Sequence, residues 1–262
     1  MGAVGSRAGF GPRVLDQLRF LRAHELGEVF VADAAGRPVG AAACIAFAGT
    51  GWIGAVGVVP EARKQGIGGA LTEMAVDWLR QAGADPVILQ ATALGRPVYE
   101  RLGFVAEGEY VMLSGPALPP AREWPAGVRT GEQDDLDGVI AMDRAATGED
   151  RSALLRAVWP AGGLVAERDG ALEGFHMASG AGPGGAVIAV SSEAGVRLLD
   201  GARTIFSPGD HMAPVPHANR PARQALRERG YREATRTTRM RLGPPVEWEQ
   251  PAIFSAFNLF WG

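Results

Sequence analysis

The chain lacks the features that would commit it to a disulfide scaffold, a membrane or a nucleic acid. It has one cysteine, Cys44, so no internal disulfide can form, and its place in the apolar run Ala41–Phe47 reads as that of a small core residue. No apolar run reaches the roughly 20 residues of a transmembrane helix. Met1–Gly11 shows no signal-peptide core, and a cytoplasmic protein with no membrane partner is expected. Neither sign of charge dominates: 26 Lys and Arg are interspersed with 29 Asp and Glu for a net charge of −3, which argues against a nucleic-acid-binding face. Histidine is scarce, at four residues. His24 falls on a polar helix, Val14–Leu26, whose apolar face is Val14, Leu15, Leu18, Leu21 and Leu26. His211 and His217 flank Pro214 and Pro216 beside Asp210, in a spacing that matches no metal-ligand pattern, and no metal is expected.

Glycine is abundant, at 37 residues, and one cluster of it carries most of the information. In Val56-Gly-Val-Val-Pro-Glu-Ala-Arg-Lys-Gln-Gly-Ile-Gly-Gly-Ala-Leu71 an apolar run leads through Pro60 into a basic, glycine-rich turn and then into an amphipathic helix. Gly66, Gly68 and Gly69 remove side chains where a ligand must approach backbone N–H groups. The first turn of the helix offers unpaired donors and the positive end of its dipole to a phosphate. The Gly-Lys-Ser/Thr ending of a P-loop is missing, and no G-x-G-x-x-G follows the strand.

The run Arg63-Lys64-Gln65-Gly66-Ile67-Gly68 resembles the acetyl-CoA loop of the GNAT superfamily of N-acetyltransferases, whose pattern is Arg/Gln-x-x-Gly-x-Gly/Ala. The residues that follow carry the resemblance further. A helix is predicted over Ile67–Gln81, with Leu71, Met74, Ala75, Trp78 and Leu79 on one face and Gly83 as its C-terminal cap. Pro86–Ala91 reads as a buried strand and Arg96–Phe104 as a short helix closing on glycine. In the latter, Tyr99, Glu100, Gly103 and Phe104 match the family's Tyr-Glu-x-x-Gly-Phe.

The sequence also repeats itself. Val31–Gly40 and Val165–Gly174 share Val-Ala-acid-x-x-Gly-x-x-x-Gly, the pattern of two strands joined by a tight turn at the middle glycine. Arg96–Phe104 aligns with Arg223–Tyr231, again at an offset of about 130 residues. An α/β fold is expected, with two tandem GNAT-like domains over residues 1–118 and 119–262, each a central mixed sheet flanked by helices. The junction falls in the Pro-rich stretch from Gly115 to Pro125.

The second copy departs from the first where chemistry would be done. In place of the cofactor loop it has Ile188-Ala-Val-Ser-Ser-Glu-Ala-Gly-Val-Arg-Leu-Leu199, and Leu226 stands where Tyr99 does. It reads as a degenerate copy kept for substrate binding, shape or dimerisation. Its opening, Asp143–Arg151, and its apolar end, Phe254–Trp261, resemble tandem bacterial GNAT proteins. Trp124, Trp159, Trp248 and Trp261 read as packing residues, with an apolar substrate pocket or an interface between the copies as the alternative.

The resemblance implies a mechanism. The splayed end of the strand Ile53–Val59, through Val56 and Val58, would bond the pantetheine arm of acetyl-CoA, and the Val58 N–H would also face the oxyanion. Arg63, Lys64, Gln65, Gly66, Ile67, Gly68 and Gly69 would hold the pyrophosphate. Tyr99 would contact the cofactor and donate a proton to the departing thiolate. Thr92 stands where many relatives carry a cofactor-bonding asparagine. A general base is missing, because Trp52–Val59 contains no acid. Glu107, Glu109, His176 and the chain's own carboxylate at Gly262 are alternatives, as is a bound water. Few residues precede the first hairpin, so the acceptor wall is short. The reading is an acetyl-CoA-dependent N-acetyltransferase acting on a small-molecule or peptide amine, compatible with a homodimer. A non-catalytic acyl-CoA-binding sensor or assembly module stands as the alternative, and a longer acyl group stays open.

Overall fold

The structure, a computed structural model, describes residues 12–116, 123–178, 185–205 and 210–262. Met1–Gly11 and most of the Pro-rich junction lie outside the described residues. In chain order the elements begin with helix α1 (Pro12–Ala23), strands β1 (Gly27–Ala34), β2 (Arg37–Ala46) and β3 (Gly51–Val58), and helix α2 (Ile67–Gln81). Strand β4 (Val87–Ala91), helix α3 (Arg96–Arg101) and strands β5 (Val105–Pro116) and β6 (Val128–Thr130) come next. Then follow α4 (Leu136–Thr147), α5 (Ser152–Val158), β7 (Gly163–Arg168), β8 (Ala171–Ala178), β9 (Gly185–Ala189) and α6 (Ser192–Ile205). The last elements are β10 (Asp210–Pro216), α7 (Arg220–Glu228), β11 (Arg232–Leu242) and β12 (Ile253–Ser255). Among the described residues no helix is long and apolar enough to cross a membrane.

The chain divides into two compact units, but not into the contiguous halves expected. Unit 1 comprises Met1–Glu107, Thr238–Pro245 and Phe260–Gly262; unit 2 comprises Gly108–Thr237 and Val246–Leu259. The expected boundary at 118/119 lies outside the described residues. Late residues belong to unit 1 for a physical reason: Thr238–Leu242 of β11 pair antiparallel with β4, from Thr238↔Ala91 to Leu242↔Val87. This satisfies the open edge of β4 and buries Met240 in the unit 1 core.

Unit 1 holds a mixed sheet in the order β1-β2-β3-β4-β11. Its first hairpin turns through Ala35 and Gly36, at φ 53° and 76°, the left-handed pair that a two-residue hairpin turn demands. In unit 2 Asp169 and Gly170 repeat the turn at φ 52° and 79°. A register shift follows Ala32 in one hairpin and Ala166 in the other, so the repeat extends to the irregularity. Helix α2 runs as predicted and ends where Gly83, at φ 85°, lets the Ala84 N–H reach the Leu79 carbonyl. Its buried stripe is Leu71, Thr72, Ala75, Val76 and Leu79. Met74, expected on that face, is 52% exposed, because the rows 71/75/79 and 72/76 set the stripe and turn it outward.

Unit 2 contains a five-stranded sheet, β12-β9-β8-β7-β6, with its described neighbours antiparallel. Helix α6 packs on it through Ala194, Leu198, Leu199 and Ala202. Within the motif Asp143–Arg151, Asp143, Thr147, Glu149 and Arg151 are buried. The Asp143 carboxylate takes two hydrogen bonds from the Arg151 guanidinium, at 3.0 and 2.5 Å. Trp159 donates to the Glu132 carbonyl and Trp248 stacks on Tyr110, which are packing roles.

Candidate functional site

Strand β3 forms the site in unit 1 by parting from its neighbour. It runs parallel to β4 only from Gly51↔Val87 to Ile53↔Leu89. Just beyond, its partners on β2 jump from Ala43↔Gly54 to Ala41↔Gly57, a bulge in which Ala55 takes φ 51°. That is the left-handed region, which disfavours a residue with a Cβ, and bulges of this kind bend a strand away from its sheet. Further along, the Val59 N–H bonds the Val39 carbonyl at 2.9 Å. Because bonded and non-bonded pairs alternate in an antiparallel ladder, the N–H and C=O of Val58 point away from β2, into the gap that β4 has left. Consistent with this, the Val58 carbonyl accepts a 3.0 Å hydrogen bond from Arg63 Nε. Val56, half-buried, packs against the unit 1 core.

The glycine-rich turn follows directly. Pro60–Ala62 form a short 3-10 turn, Lys64 takes φ 62° and Gly66 takes φ 81°, and α2 starts at Ile67. Arg63, Lys64 and Gln65 are exposed. Arg63 is engaged with Val58, so it braces the strand end, and Gln65 bonds the Glu61 carbonyl. No side chain caps the N-terminus of α2, which leaves its first N–H groups without a side-chain acceptor. Gly68 and Gly69 follow in the first turn. A Cβ on Gly68 would meet only Val58 Cγ2 at 3.8 Å, and one on Gly69 only Val98 Cγ1 at 3.9 Å. Neither packing nor backbone conformation requires glycine there, although glycine inside a helix costs about 1 kcal/mol relative to alanine.

Tyr99 comes from α3. It is 8% exposed and meets Phe104 edge-on with ring centroids 6.0 Å apart. Burial pushes its phenol up to about 12, so the group stays protonated through the physiological range. Thr92 has a structural role: its hydroxyl and carbonyl both accept from the Gly95 N–H, and the carbonyl also accepts from Arg96, which starts α3. The hydroxyl keeps its own proton to donate.

The base candidates are placed unevenly. Glu107 is held on both oxygens, by Arg239 Nε at 3.0 Å and Arg241 Nε at 2.7 Å. Glu109 belongs to unit 2, 3.7 Å from Arg236. His176 is buried on β8 of unit 2, where desolvation takes its pKa down to about 3. His24 is exposed and stacked on Phe20. Among the described residues no group of three or more His, Cys, Asp or Glu side chains gathers to hold a metal.

The apolar tail ending Phe260-Trp261-Gly262 is expected to dock for packing, but the strand it docks on is not read from the sequence. Phe260 lies directly on β3: a Cβ added to Gly54 would fall 2.5 Å from that of Phe260. Trp261 beside it is buried, and both line a crevice with Val14, Gln17, Leu18, Leu21, Ala43, Cys44, Gly54 and Ala55. Gly54 and Gly57 inside a strand were the available signal, since glycine there marks a bulge or a close approach.

Unit 2 shows the corresponding strand and helix in another state. Strand β12 pairs with β9 through Ile253↔Ile188, and Phe254 covers the start of α6, so that a Cβ on Gly195 would sit 2.5 Å from its ring. The Ser191 hydroxyl accepts from the Ala194 N–H at 3.2 Å, and Leu226 is buried in the core.

Comparison with known proteins agrees with this architecture. The profile described as Acetyltransferase (GNAT) family matches residues 7–104, and that of an Acetyltransferase (GNAT) domain matches residues 139–255. A solved protein of Pyrococcus horikoshii with a provisional acetyltransferase designation superposes with a TM-score of 0.83 at 23% identity, covering 99% of this chain and 90% of its own. A tandem GNAT protein from the clavulanic acid biosynthesis pathway superposes at 0.56 with 15% identity, over 90% and 88% of the two chains. A Drosophila protein gives 0.64 at 11% identity, over 88% and 89%. No curated protein matches the chain. With a GNAT profile on each half and the fold shared with these proteins, the chain belongs to the GNAT acetyltransferases as a tandem of two GNAT-like domains.

Proposed function

We propose that unit 1 is an acetyl-CoA-dependent N-acetyltransferase acting on a primary amine, and that unit 2 is a copy without a cofactor site. One observation carries the reading. A Cβ on Gly68 or Gly69 would meet a single side-chain atom at van der Waals distance, at an uncapped helix N-terminus; a glycine pair there is one that stability alone disfavours and that close approach of a diphosphate explains. The residues present fit the cosubstrate. The α2 N–H groups and Lys64 suit its diphosphate, and Val56 and Val58 on the parted strand suit its amide arm.

Acetyl-CoA supplies an acyl carbon activated as a thioester. The amine nitrogen bonds to that carbon within one ternary complex, the carbon–sulfur bond breaks, the nitrogen sheds one proton and the sulfur gains one. The Val58 N–H, aimed into the gap, stabilises the negative charge that develops on the acyl oxygen. Tyr99, kept protonated by burial, donates its O–H toward the departing sulfur and is reprotonated from solvent. A cytoplasmic location goes with the use of acetyl-CoA.

Titration calorimetry of the full-length protein with acetyl-CoA tests this: one site per chain is expected, and no binding would overturn it. A second reading, a non-catalytic acyl-CoA sensor, is favoured by the base candidates, since Glu107 is tied to two arginines and Trp52–Val59 holds no acid. Binding of acetyl-CoA without acetylated product across a panel of primary amines would select it.

A further inference from the structure

The two copies carry different charge patterns on one corresponding helix. Arg96–Phe104 of unit 1 aligns with Arg223–Tyr231 of unit 2, which sets Glu100 against Arg227. In α3 the Arg96 guanidinium donates to the Glu100 carboxylate at 2.7 Å, an i,i+4 pair that satisfies both charges. In α7 the same two positions hold Arg223 and Arg227, and Arg220 stands one turn before them. An ion pair in one copy is a row of like charges in the other.

Stability alone does not favour that row. Ala222, Ala225 and Leu226 face the core, which turns Arg220, Arg223 and Arg227 to the opposite side, three and four residues apart and so neighbours on the helix surface. Like charges at these spacings destabilise a helix, and Arg220 and Arg223 lie at its N-terminal end, where the dipole opposes a cation. Arg223 is half-buried, and its Nε is shielded from solvent with no hydrogen-bond partner among the described residues. Burial, then Arg227, Arg220 and Arg236, draw its pKa down against the pull of Glu233. Among the described residues neither Arg220 nor Arg223 makes an ion pair.

The neighbouring acids do not cancel the row. Glu233 lies 3.9 Å from Arg227 but is held by Arg236 at 2.5 and 3.1 Å, and Glu109 lies 3.7 Å from Arg236. The acid of α7 itself, Glu228, accepts from Gln224 at 2.9 Å. Three arginines of α7 and Arg236 of β11 therefore share Glu233 and Glu109, within unit 2, in a chain whose net charge is −3.

We propose that this face of α7 binds an acidic segment of a partner protein, with carboxylates seated along Arg220, Arg223 and Arg227. The row extends about 10 Å along the helix, and carboxylates on alternate residues of an extended chain recur about every 7 Å, close to the spacing of neighbouring arginines. A nucleic acid suits the face less well. Glu233 and Glu109 interrupt the positive surface that a continuous phosphate chain follows, and Tyr231, just beyond the helix, is buried with Arg203 over its ring instead of being offered to a base. A membrane surface calls for an apolar side chain to insert, and the large one on α7, Leu226, is in the core. The proposal does not depend on the acyl-transfer reading of unit 1.

Fluorescence anisotropy of a labelled hexaglutamate peptide, titrated with the full-length protein at low ionic strength and without acetyl-CoA, tests this. Binding is expected, and added salt should weaken it. Arg220→Glu should weaken the peptide about tenfold while raising the thermal midpoint by about 1–2 °C, because it turns a like-charged i,i+3 pair into an opposite one and puts an acid at the helix N-terminus. Arg223→Gln should weaken the peptide to a similar degree. An arginine kept for stability would not give opposed readouts, so a midpoint that does not rise in Arg220→Glu would count against the proposal. Failure of hexaglutamate to bind, or unchanged affinity in Arg220→Glu, would overturn it. So would tighter binding of hexathymidylate, or retention on phosphatidylserine vesicles that Arg220→Glu abolishes, which would give the face to a nucleic acid or to a lipid surface.

Discussion

In unit 1 a methyl group added to Gly68 or Gly69 would touch nothing closer than 3.8 Å; in unit 2 one added to Gly195 would lie 2.5 Å from the ring of Phe254. All three glycines stand in the first turn of a helix that follows a sheet strand. One pair leaves room for something the protein does not itself supply, and the other makes room for the protein's own side chain. Around them the contrast is consistent. The α2 terminus lacks a side-chain cap, whereas α6 is served by Ser191. Strand β3 loses its neighbour after Ile53, whereas β9 gains β12. The two copies differ in a set of opportunities for packing and hydrogen bonding that one has taken and the other has left open, which is what the proposed binding site rests on.

Substitutions can break that contrast, and the largest effect should come from Gly68→Asp. A carboxylate against a diphosphate should weaken acetyl-CoA by about a thousandfold, from repulsion of roughly 4 kcal/mol at close range; calorimetry that shows unchanged affinity would remove the cradle from unit 1. Next comes pH. Unit 2 buries His176 and His211, held down to about 3 and 4 by desolvation, with His211 and Arg203 as the respective charged neighbours, while the only histidine of unit 1, His24, is exposed. A histidine whose folded pKa is depressed contributes stability above its unfolded value near 6.5 and loses it as pH falls toward the folded value. Unit 2 should therefore weaken between pH 6.5 and 4, by a few kcal/mol in order of magnitude. Amide hydrogen exchange resolved by segment will show whether β8 and β10 open before β2 and β3.

Tyr99→Phe should lower kcat by about a hundredfold with acetyl-CoA affinity unchanged; full turnover would make Tyr99 equivalent to Leu226, a core residue. Gly195→Ala should destabilise by roughly 1–3 kcal/mol, since Phe254 has to move, and leave acetyl-CoA binding intact. Gly69→Ala should do the reverse on a smaller scale, stabilising by about 0.5–1 kcal/mol while weakening acetyl-CoA. Thermal unfolding and calorimetry on the pair read both signs, and matching signs in the two variants would erase the distinction between the copies.

Much of this could be read from residue order because it is local. The turn at Ala35–Gly36 and its echo at Asp169–Gly170, the extent of α2, the cap at Gly83 and the glycine-rich turn before α2 all follow from neighbours within one turn or hairpin. Leu226 in place of Tyr99 and the loss of the loop after β9 were equally visible. What stayed hidden depends on residues far apart in sequence. Nothing around Thr238 says that it pairs with Ala91, and nothing near Gly54 says that Phe260 lies on it. The same holds for Arg239 and Arg241, which tie down a Glu107 that local context left as a free carboxylate. Met74 failed for a different reason: it sits at the flank of an apolar stripe, where periodicity alone does not fix the rotation of the helix.

The exchange of Thr238–Pro245 and Phe260–Gly262 into unit 1 has a meaning for the timing of synthesis. A ribosome that has made residue 107 has delivered the glycine loop, α2 and Tyr99, but β4 still has a bare edge and the crevice lacks its aromatic wall. The β11 segment arrives only after Gly108–Thr237 of the second unit has been translated, and the aromatic wall after Val246–Leu259 as well, roughly ten seconds or more later at ordinary elongation rates. A nascent chain cut short anywhere in that interval would carry the whole glycine-rich turn and still lack the strand that closes the sheet beyond β4.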